Sequence, residues 1–185
     1  MVPGGLQACP DPDPGVATLI SAAIRDIPDY PQPGVVFKDI TPLLADGAAF
    51  AAVVGALAAG HGRIDKVVGI EARGFILAAP VACKLGAGFV PVRKQGKLPG
   101  PTHVQSYELE YGTATIEVHT DAFRPGERVL IIDDVLATGG TAAATAELVR
   151  RSGGEIAAVT VLLELSFLNG RGSLRGLDVR SLLAV

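Results

Sequence analysis

The sequence predicts an α/β fold, a mainly parallel twisted sheet flanked by helices. Three observations carry this. Ile64 to Ile70 (IDKVVGI), Arg128 to Ile132 (RVLII) and Glu155 to Leu163 (EIAAVTVLL) are nearly continuous apolar runs, the pattern of strands buried on both faces. Segments of helical spacing separate them, which places a helix between successive parallel strands. The 185 residues are 49% apolar and 19% charged, enough to build one sizeable core.

Each element has its own reason. Residues 1–15 hold prolines and glycines without apolar periodicity and are expected to form a flexible extension. Val16 to Ile27 (VATLISAAIRDI) has amphipathic helical spacing. PDYPQPGVVFKDITPLL carries too many prolines for a long helix, and Thr41-Pro42 reads as a cap followed by a proline in the first turn. Asp46 can cap a helix over 47–59, which stops at Gly60-His61-Gly62. Ile64 to Ile70 is a strand, Gly74 to Leu85 a helix, and Gly88 to Val92 a short strand containing Pro91. Arg93 to Val104 is a long polar stretch. Gln105 to Glu110 and Ala114 to Thr120 form a hairpin turning at Tyr111-Gly112-Thr113. Arg128 to Ile132 is a strand, Thr141 to Arg151 a helix, and Glu155 to Leu163 another strand.

Composition excludes several classes. A net charge of −3 and a pI near 5.6 argue against a broad nucleic-acid surface, because such domains have pI above about 9. An anionic ligand must therefore meet a local site. Cys9 and Cys83 form no CxxC pair and no His/Cys cluster, which fits a reducing cytoplasm without a zinc site or disulfide framework. The longest near-unbroken apolar run, Ala48 to Ala59, is shorter than the ~18 residues of a membrane span. The N-terminus has neither the basic nor the apolar part of a secretory signal, and Leu6 to Cys9 (LQAC) lacks the hydrophobic stretch of a lipoprotein signal.

Val129 to Thr141 (VLIIDDVLATGGT) is the most informative segment. A buried strand runs into two carboxylates, then a loop of small residues, then a helix. Ligands of open α/β sheets bind at the carboxyl ends of the strands. Ala137, Thr138, Gly139, Gly140 and Thr141 offer unobstructed N–H groups, hydroxyls and a helix N-terminus, which together cradle a phosphate. Asp133 and Asp134 would repel a phosphate placed on them, but beside it they suit vicinal hydroxyls or Mg²⁺. A phosphate and a diol at that spacing make a ribose 5-phosphate. The plainer alternative is solvated turn chemistry at Asp133-Asp134 and an ordinary helix start.

IIDDVLATGGT resembles the 5-phosphoribosyl 1-diphosphate (PRPP) signature of the type I phosphoribosyltransferases. GVVFKDITPLL (34–44), GIEARGF (69–75), VRKQGKLPGP (92–101) and SYELEYG (106–112) resemble, in order, segments of that family's adenine-using members. The resemblance spans residues 16–185. It implies the type I phosphoribosyltransferase fold, with residues 16–45 contributing a small N-terminal hood that binds the base and a flexible hairpin as cover. It also implies a Mg²⁺-dependent purine-salvage reaction, adenine + PRPP giving AMP + diphosphate through an oxocarbenium-like ribosyl centre, in a homodimer with no nucleic-acid or membrane partner.

The resemblance assigns roles by position. Ala137 to Thr141 hold the 5-phosphate, and Asp133 and Asp134 meet the ribose hydroxyls. Arg73 receives the diphosphate with Arg93, Lys94 and Lys97, Arg as a fork and Lys as a point charge. A non-proline cis peptide is expected at Glu71–Ala72. Val36, Phe37 and Lys38, with Leu136 on the other face, form the adenine slot. Glu110 handles a proton at purine N7, in preference to Glu108 on the same strand face, and Tyr111 sits near the leaving group. His103 lies in the cover. The chain departs from the pattern at Lys38, where Arg is common, and at Gln95, where a basic residue is common.

Other features are set aside. His61 and His119 read as solvated histidines, and Cys83 as a small core residue. No Walker A or GxGxxG motif is present. The competing readings are a phosphoribosyltransferase for another base, xanthine above all, and a non-catalytic PRPP sensor. The acidic chain has no room for a DNA-binding module beside the core.

Overall fold

The computed structural model describes residues 14–108 and 112–185. Its elements run α1 (Pro14–Ala23), β1 (Arg25–Ile27), β2 (Phe37–Asp39), α2 (Thr41–Ala45), α3 (Gly47–Ala58), β3 (Lys66–Ile70), α4 (Arg73–Leu85), β4 (Gly88–Lys94), β5 (Thr102–Glu108), β6 (Thr113–His119), β7 (Arg128–Leu136), α5 (Gly140–Arg151), β8 (Glu155–Glu164) and β9 (Val179–Ala184). Two 3₁₀ turns, Ser166–Leu168 and Gly170–Leu174, join β8 to β9.

Among the described residues the main sheet has seven strands in the order β5-β6-β4-β3-β7-β8-β9. β4, β3, β7, β8 and β9 run parallel. β6 is antiparallel to both β4 and β5. Neighbouring residues of the central strands enter opposite cores. Val67, Leu130 and Ile132 pack with Val53, Leu57, Leu77 and Val81 of α3 and α4. Val68, Val129 and Ile131 pack with Leu148 and Val149 of α5. Burial on both faces is why these strands read as unbroken Val, Ile and Leu.

Local chemistry sets the helix ends. Asp46 Oδ1 accepts from the N–H groups of Ala48 at 2.9 Å and Ala49 at 3.0 Å, as its position predicts. Such a cap is worth about 1 kcal/mol. α4 lies close on β3 because Gly69 has no side chain; a Cβ there would sit 2.8 Å from Ala78 Cβ. This close packing aims the N-terminus of α4 at the carboxyl ends of β3 and β7.

The structure corrects several expectations. The helix expected over Val16 to Ile27 starts at Pro14 and ends at Ala23. Arg25–Ile27 instead pairs antiparallel with Phe37–Asp39, a partner that helical spacing cannot reveal. Thr41 does not cap α2: it follows the cap position Ile40, and its own N–H and hydroxyl donate to Asp39 Oδ1 at 2.9 and 2.7 Å. The polar stretch from Arg93 is shorter than expected, since β4 runs to Lys94 and β5 begins at Thr102. His61 is buried, with its Nε2–H donated to Leu57 O at 2.9 Å. Cys83 is exposed, because α4 turns Val81 and Ala82 inward. The extension over residues 1–13 lies outside the described residues.

Candidate active site

The site grows from two adjacent strand ends. β3 and β7 run side by side, with Gly69 opposite Ile132. Beyond β3 come Glu71 and Ala72, joined by a cis peptide bond, and then α4 opens with Arg73. β7 continues through Asp133 and Asp134 to Leu136.

Arg73 Nη2 lies 2.7 Å from Asp134 Oδ2. The contact is an ion pair without hydrogen-bond alignment, so Asp134 Oδ2 is a buried acceptor with no hydrogen-bond donor. The Arg73 side chain is 36% exposed against 8% for Asp134, which leaves part of the guanidinium open to an anion. The same guanidinium carbon stands 5.0 Å from the centroid of the Phe37 ring. Phe37 in turn meets Tyr30 edge-on at 5.1 Å. One cation thus joins the β1–β2 hood to the carboxylates of β7.

Asp133 accepts the Asp134 backbone N–H at 2.9 Å. Its Oδ1 occupies the space a side chain at Gly74 would need, 2.8 Å from a Cβ built there. Burial, and then the neighbouring Asp134 charge, push the Asp133 carboxyl well above the usual carboxylate range.

The loop from Ala137 to Gly139 links β7 to α5. Gly139 sits at φ +83° as the N-cap of α5, which has no side-chain cap, so its first-turn N–H groups face a ligand position. The loop is held from behind. A Cβ on Gly139 would strike the Gly170 carbonyl, and one on Gly170 would strike the Ala137 carbonyl. Ser173 Oγ donates to Thr138 O at 3.0 Å. In front, Thr141 Oγ1 donates to Tyr107 Oη at 3.1 Å. Gly170 and Ser173 were illegible in the sequence, because they act from a distant segment that carries no motif.

The basic segment is organised by two carboxylates. Glu71 receives Arg93 in a two-point contact, Nη2–Oε1 at 2.9 Å and Nε–Oε2 at 3.3 Å, and accepts the Lys94 N–H at 3.0 Å. The Arg93 contact is the main influence holding the Glu71 carboxyl below its ordinary range. Glu117, buried on β6, accepts the N–H groups of Lys97 and Leu98, both at 2.8 Å. Burial acts most strongly on it and upward, but the accepted N–H bonds together bring it below its ordinary range. Arg93 is thus anchored to Glu71, while Lys94 and Lys97 are exposed. Glu117 was missed because strand alternation reads it as a solvent-facing charge.

The remaining predicted residues fall in distinct places. Val36 is 50% exposed, and Tyr30 and Val35 are exposed as well. Lys38 Nζ is held by Asp26 at 2.7 and 2.8 Å, across the β1–β2 pair. Leu136 is fully buried and packs beneath Gly170, so it offers no open face to a base. His103 is half-buried on β5 opposite Val118. Glu110 and Tyr111 lie outside the described residues.

Among the described residues no three His, Cys, Asp or Glu side chains gather as a metal cage. Asp134 is already paired and Asp133 resists ionisation. This donor set would hold a hard cation through one or two carboxylates at most.

A family model described as the phosphoribosyl transferase domain matches residues 42–175. The chain belongs to the phosphoribosyltransferase family. Adenine phosphoribosyltransferase from Acidothermus cellulolyticus is 65% identical over 176 residues, covering 94% of this chain and 99% of the relative. The crystal structure of adenine phosphoribosyltransferase from Rhodothermus marinus matches with a TM-score of 0.89 at 50% identity, covering 94% of this chain and 100% of that one. The Saccharomyces cerevisiae enzyme, complexed with D-2,5-dideoxy-2,5-imino-altritol 1,6-bisphosphate and adenine, matches with a TM-score of 0.84 at 36% identity, covering 91% and 98%. The type I phosphoribosyltransferase fold expected from the sequence is the fold observed.

Proposed function

We propose that this chain is an adenine phosphoribosyltransferase of purine salvage, converting adenine and PRPP to AMP and diphosphate. The observation that carries the reading is Arg73, whose guanidinium contacts both Asp134 and the Phe37 ring. That contact unites a cation for the leaving diphosphate, a carboxylate for the sugar and an aromatic face for the base. The yeast relative, crystallised with adenine beside a sugar-like bisphosphate, supports the same pairing of ligands.

The residues divide the work. The N–H groups and hydroxyls of Ala137, Thr138, Gly139, Gly140 and Thr141 grip the 5-phosphate. Asp133 and Asp134 accept the ribose hydroxyls, and the charged Asp134 stabilises positive charge developing on the ring. Arg73, Lys94 and Lys97 neutralise the departing diphosphate, with Arg93 kept in reserve by Glu71. Phe37 and Val36 cover the flat base. Lys38 braces the hood through Asp26, and Leu136 supports the phosphate loop from below. Glu110 holds the proton at purine N7 while N9 attacks the anomeric carbon, with Tyr111 near the leaving group and His103 in the cover. Mg²⁺ bound with PRPP would add positive charge at the diphosphate, with Asp133 or Asp134 as its nearest protein acceptors.

A homodimer belongs to the reading. Ile76 is 44% exposed and Phe89 38%, and Phe75 meets Phe89 edge-on at 5.7 Å, an apolar face that a second copy would cover. A cytoplasmic location fits a sequence whose two cysteines form no CxxC pair. Among the described residues no helix is long and apolar enough to cross a membrane.

The test is diphosphate release with PRPP and Mg²⁺, offering adenine, hypoxanthine, guanine and xanthine separately to the wild type and to Glu110→Gln. Release with adenine, slowed about 10²-fold or more in the variant, is expected. Release with xanthine instead, or with no base, would overturn the substrate. An unslowed variant would remove Glu110 from proton handling.

A further inference from the structure

We propose that Tyr107 is a positioning residue for the 5-phosphate of the ribosyl substrate, and that its hydroxyl couples phosphate occupancy to the seating of the β5–β6 hairpin. The proposal rests on the assignment of Ala137 to Thr141 as the phosphate cradle.

The hairpin is fastened to both ends of one helix. At the C-terminal end of α5, Arg151 Nη1 donates to Val104 O and to Gln105 Oε1, both at 3.1 Å. At the N-terminal end, Tyr107 Oη accepts from Thr141 Oγ1 at 3.1 Å. The Tyr107 ring lies over the first residue of α5, its Cδ2 3.4 Å from where a Cβ on Gly140 would stand. Gln105 and Tyr107 are two residues apart on one strand, so the same strand face makes both contacts. The Tyr107 ring also packs against the core beneath α5, which fixes the phenol with little freedom left to lose.

The chemistry follows from counting protons. The Thr141 hydroxyl has one proton and two lone pairs. In this structure the proton goes to Tyr107. A phosphate oxygen only accepts, so a bound phosphate must take that same proton. The contact survives if the Tyr107 hydroxyl turns and donates its own proton to Thr141 Oγ1. No covalent bond changes and no net proton moves. The reversed bond polarises Thr141 and makes it a better donor to the phosphate. The hairpin therefore stays seated when phosphate arrives, and its anchor strengthens.

Tyr107→Phe is the informative variant, because it keeps the ring on Gly140 and removes only the hydroxyl. Ribose 5-phosphate is the probe, with binding followed by calorimetry and the hairpin amides of residues 102–108 by hydrogen exchange. In the wild type, ribose 5-phosphate slows exchange in those amides. Tyr107→Phe weakens ribose 5-phosphate binding about three- to tenfold and abolishes the slowing. It raises KM for PRPP and leaves kcat and KM for adenine nearly unchanged. In a Thr141→Val background the same change has no further effect on ribose 5-phosphate. If Thr141→Val weakens ribose 5-phosphate but Tyr107→Phe alters neither binding nor exchange, the coupling is wrong and the cradle stands. If Thr141→Val leaves binding unchanged, the cradle assignment falls and the coupling falls with it.

Discussion

Arg73 and Asp134 form an ion pair at 2.7 Å, although one opens α4 and the other lies deep in β7. Arg73 also stands 5.0 Å from the Phe37 ring centroid. A lysine in its place would keep a charge and lose both the planar stacking on Phe37 and the fork for phosphate oxygens. Arg73→Lys is expected to lower kcat/KM for PRPP about 10²-fold, read by steady-state diphosphate release. KM for adenine should rise as well, because the hood loses its tether. Kinetics within threefold of wild type would remove Arg73 from the site.

Asp133 carries an electrostatic cost. Burial first, and the Asp134 charge second, raise its carboxyl well above the ordinary 3.8. A group raised in the folded state stabilises the fold while both states are protonated, below the unfolded value. That contribution is lost as pH rises through the raised folded value. Asp133→Asn keeps the acceptor for the Asp134 N–H and removes the buried charge. Its Tm at pH 8 should rise, by about 2–4 °C for each kcal/mol relieved, while turnover with PRPP falls at least about tenfold. Thermal melts at pH 5 and pH 8 check the sign, since the gain must shrink at the lower pH.

Gly170 and Gly139 meet without side chains, and a Cβ on Gly170 would collide with the Ala137 carbonyl. Gly170→Ala must push the loop from Ala137 to Gly139 forward. It is expected to cost about 1–3 kcal/mol of stability and to weaken ribose 5-phosphate binding. Ser173→Ala removes the bond to Thr138 O and should cost about 0.5–1.5 kcal/mol. Equal melting curves for Gly170→Ala and wild type would contradict the close approach.

His61 gives the fold a pH dependence of its own. Its Nε2–H is spent on Leu57 O, and its buried Nδ1 has no partner. Burial, and then Arg180, lower its pKa from 6.5, against a smaller pull from Leu57 O and Asp178. The unfolded chain then takes the proton first. Stability is complete above about pH 6.5 and falls as pH drops from there toward the lower folded value. The slope from this one group is at most about 1.4 kcal/mol per pH unit. His61→Gln should flatten the dependence of Tm between pH 7.5 and pH 5.5, even if its Tm is lower throughout. An unchanged slope would place the acid sensitivity elsewhere.

Much of the fold was legible because it is written locally. The cap at Asp46 and the paired apolar faces of β3, β7 and β8 need only near neighbours in the chain. What failed shares a different character. β1 has no helix-breaking signal before Pro28, so its pairing with β2 was invisible. His61 sits in a Gly-His-Gly turn that reads as solvated, yet α3 and Arg180 enclose it. The 3₁₀ turn Gly170–Leu174 carries no motif, and it supports the loop from Ala137 to Gly139.

The sequence by itself determined the loop from Ala137 to Thr141 and the carboxylates before it, because VLIIDDVLATGGT places strand end, acids, glycines and helix start in one continuous stretch. It determined the family for the same reason, through contiguous motifs in a fixed order. The tertiary structure alone decided that Arg73 serves both Phe37 and Asp134, that Glu71 restrains Arg93, that Glu117 shapes the basic turn, and that Tyr107 reaches Thr141. Each of these joins residues from separate elements. Their partners are set by sheet order and helix packing, where side chains far apart along the chain meet at distances that no spacing in the sequence encodes.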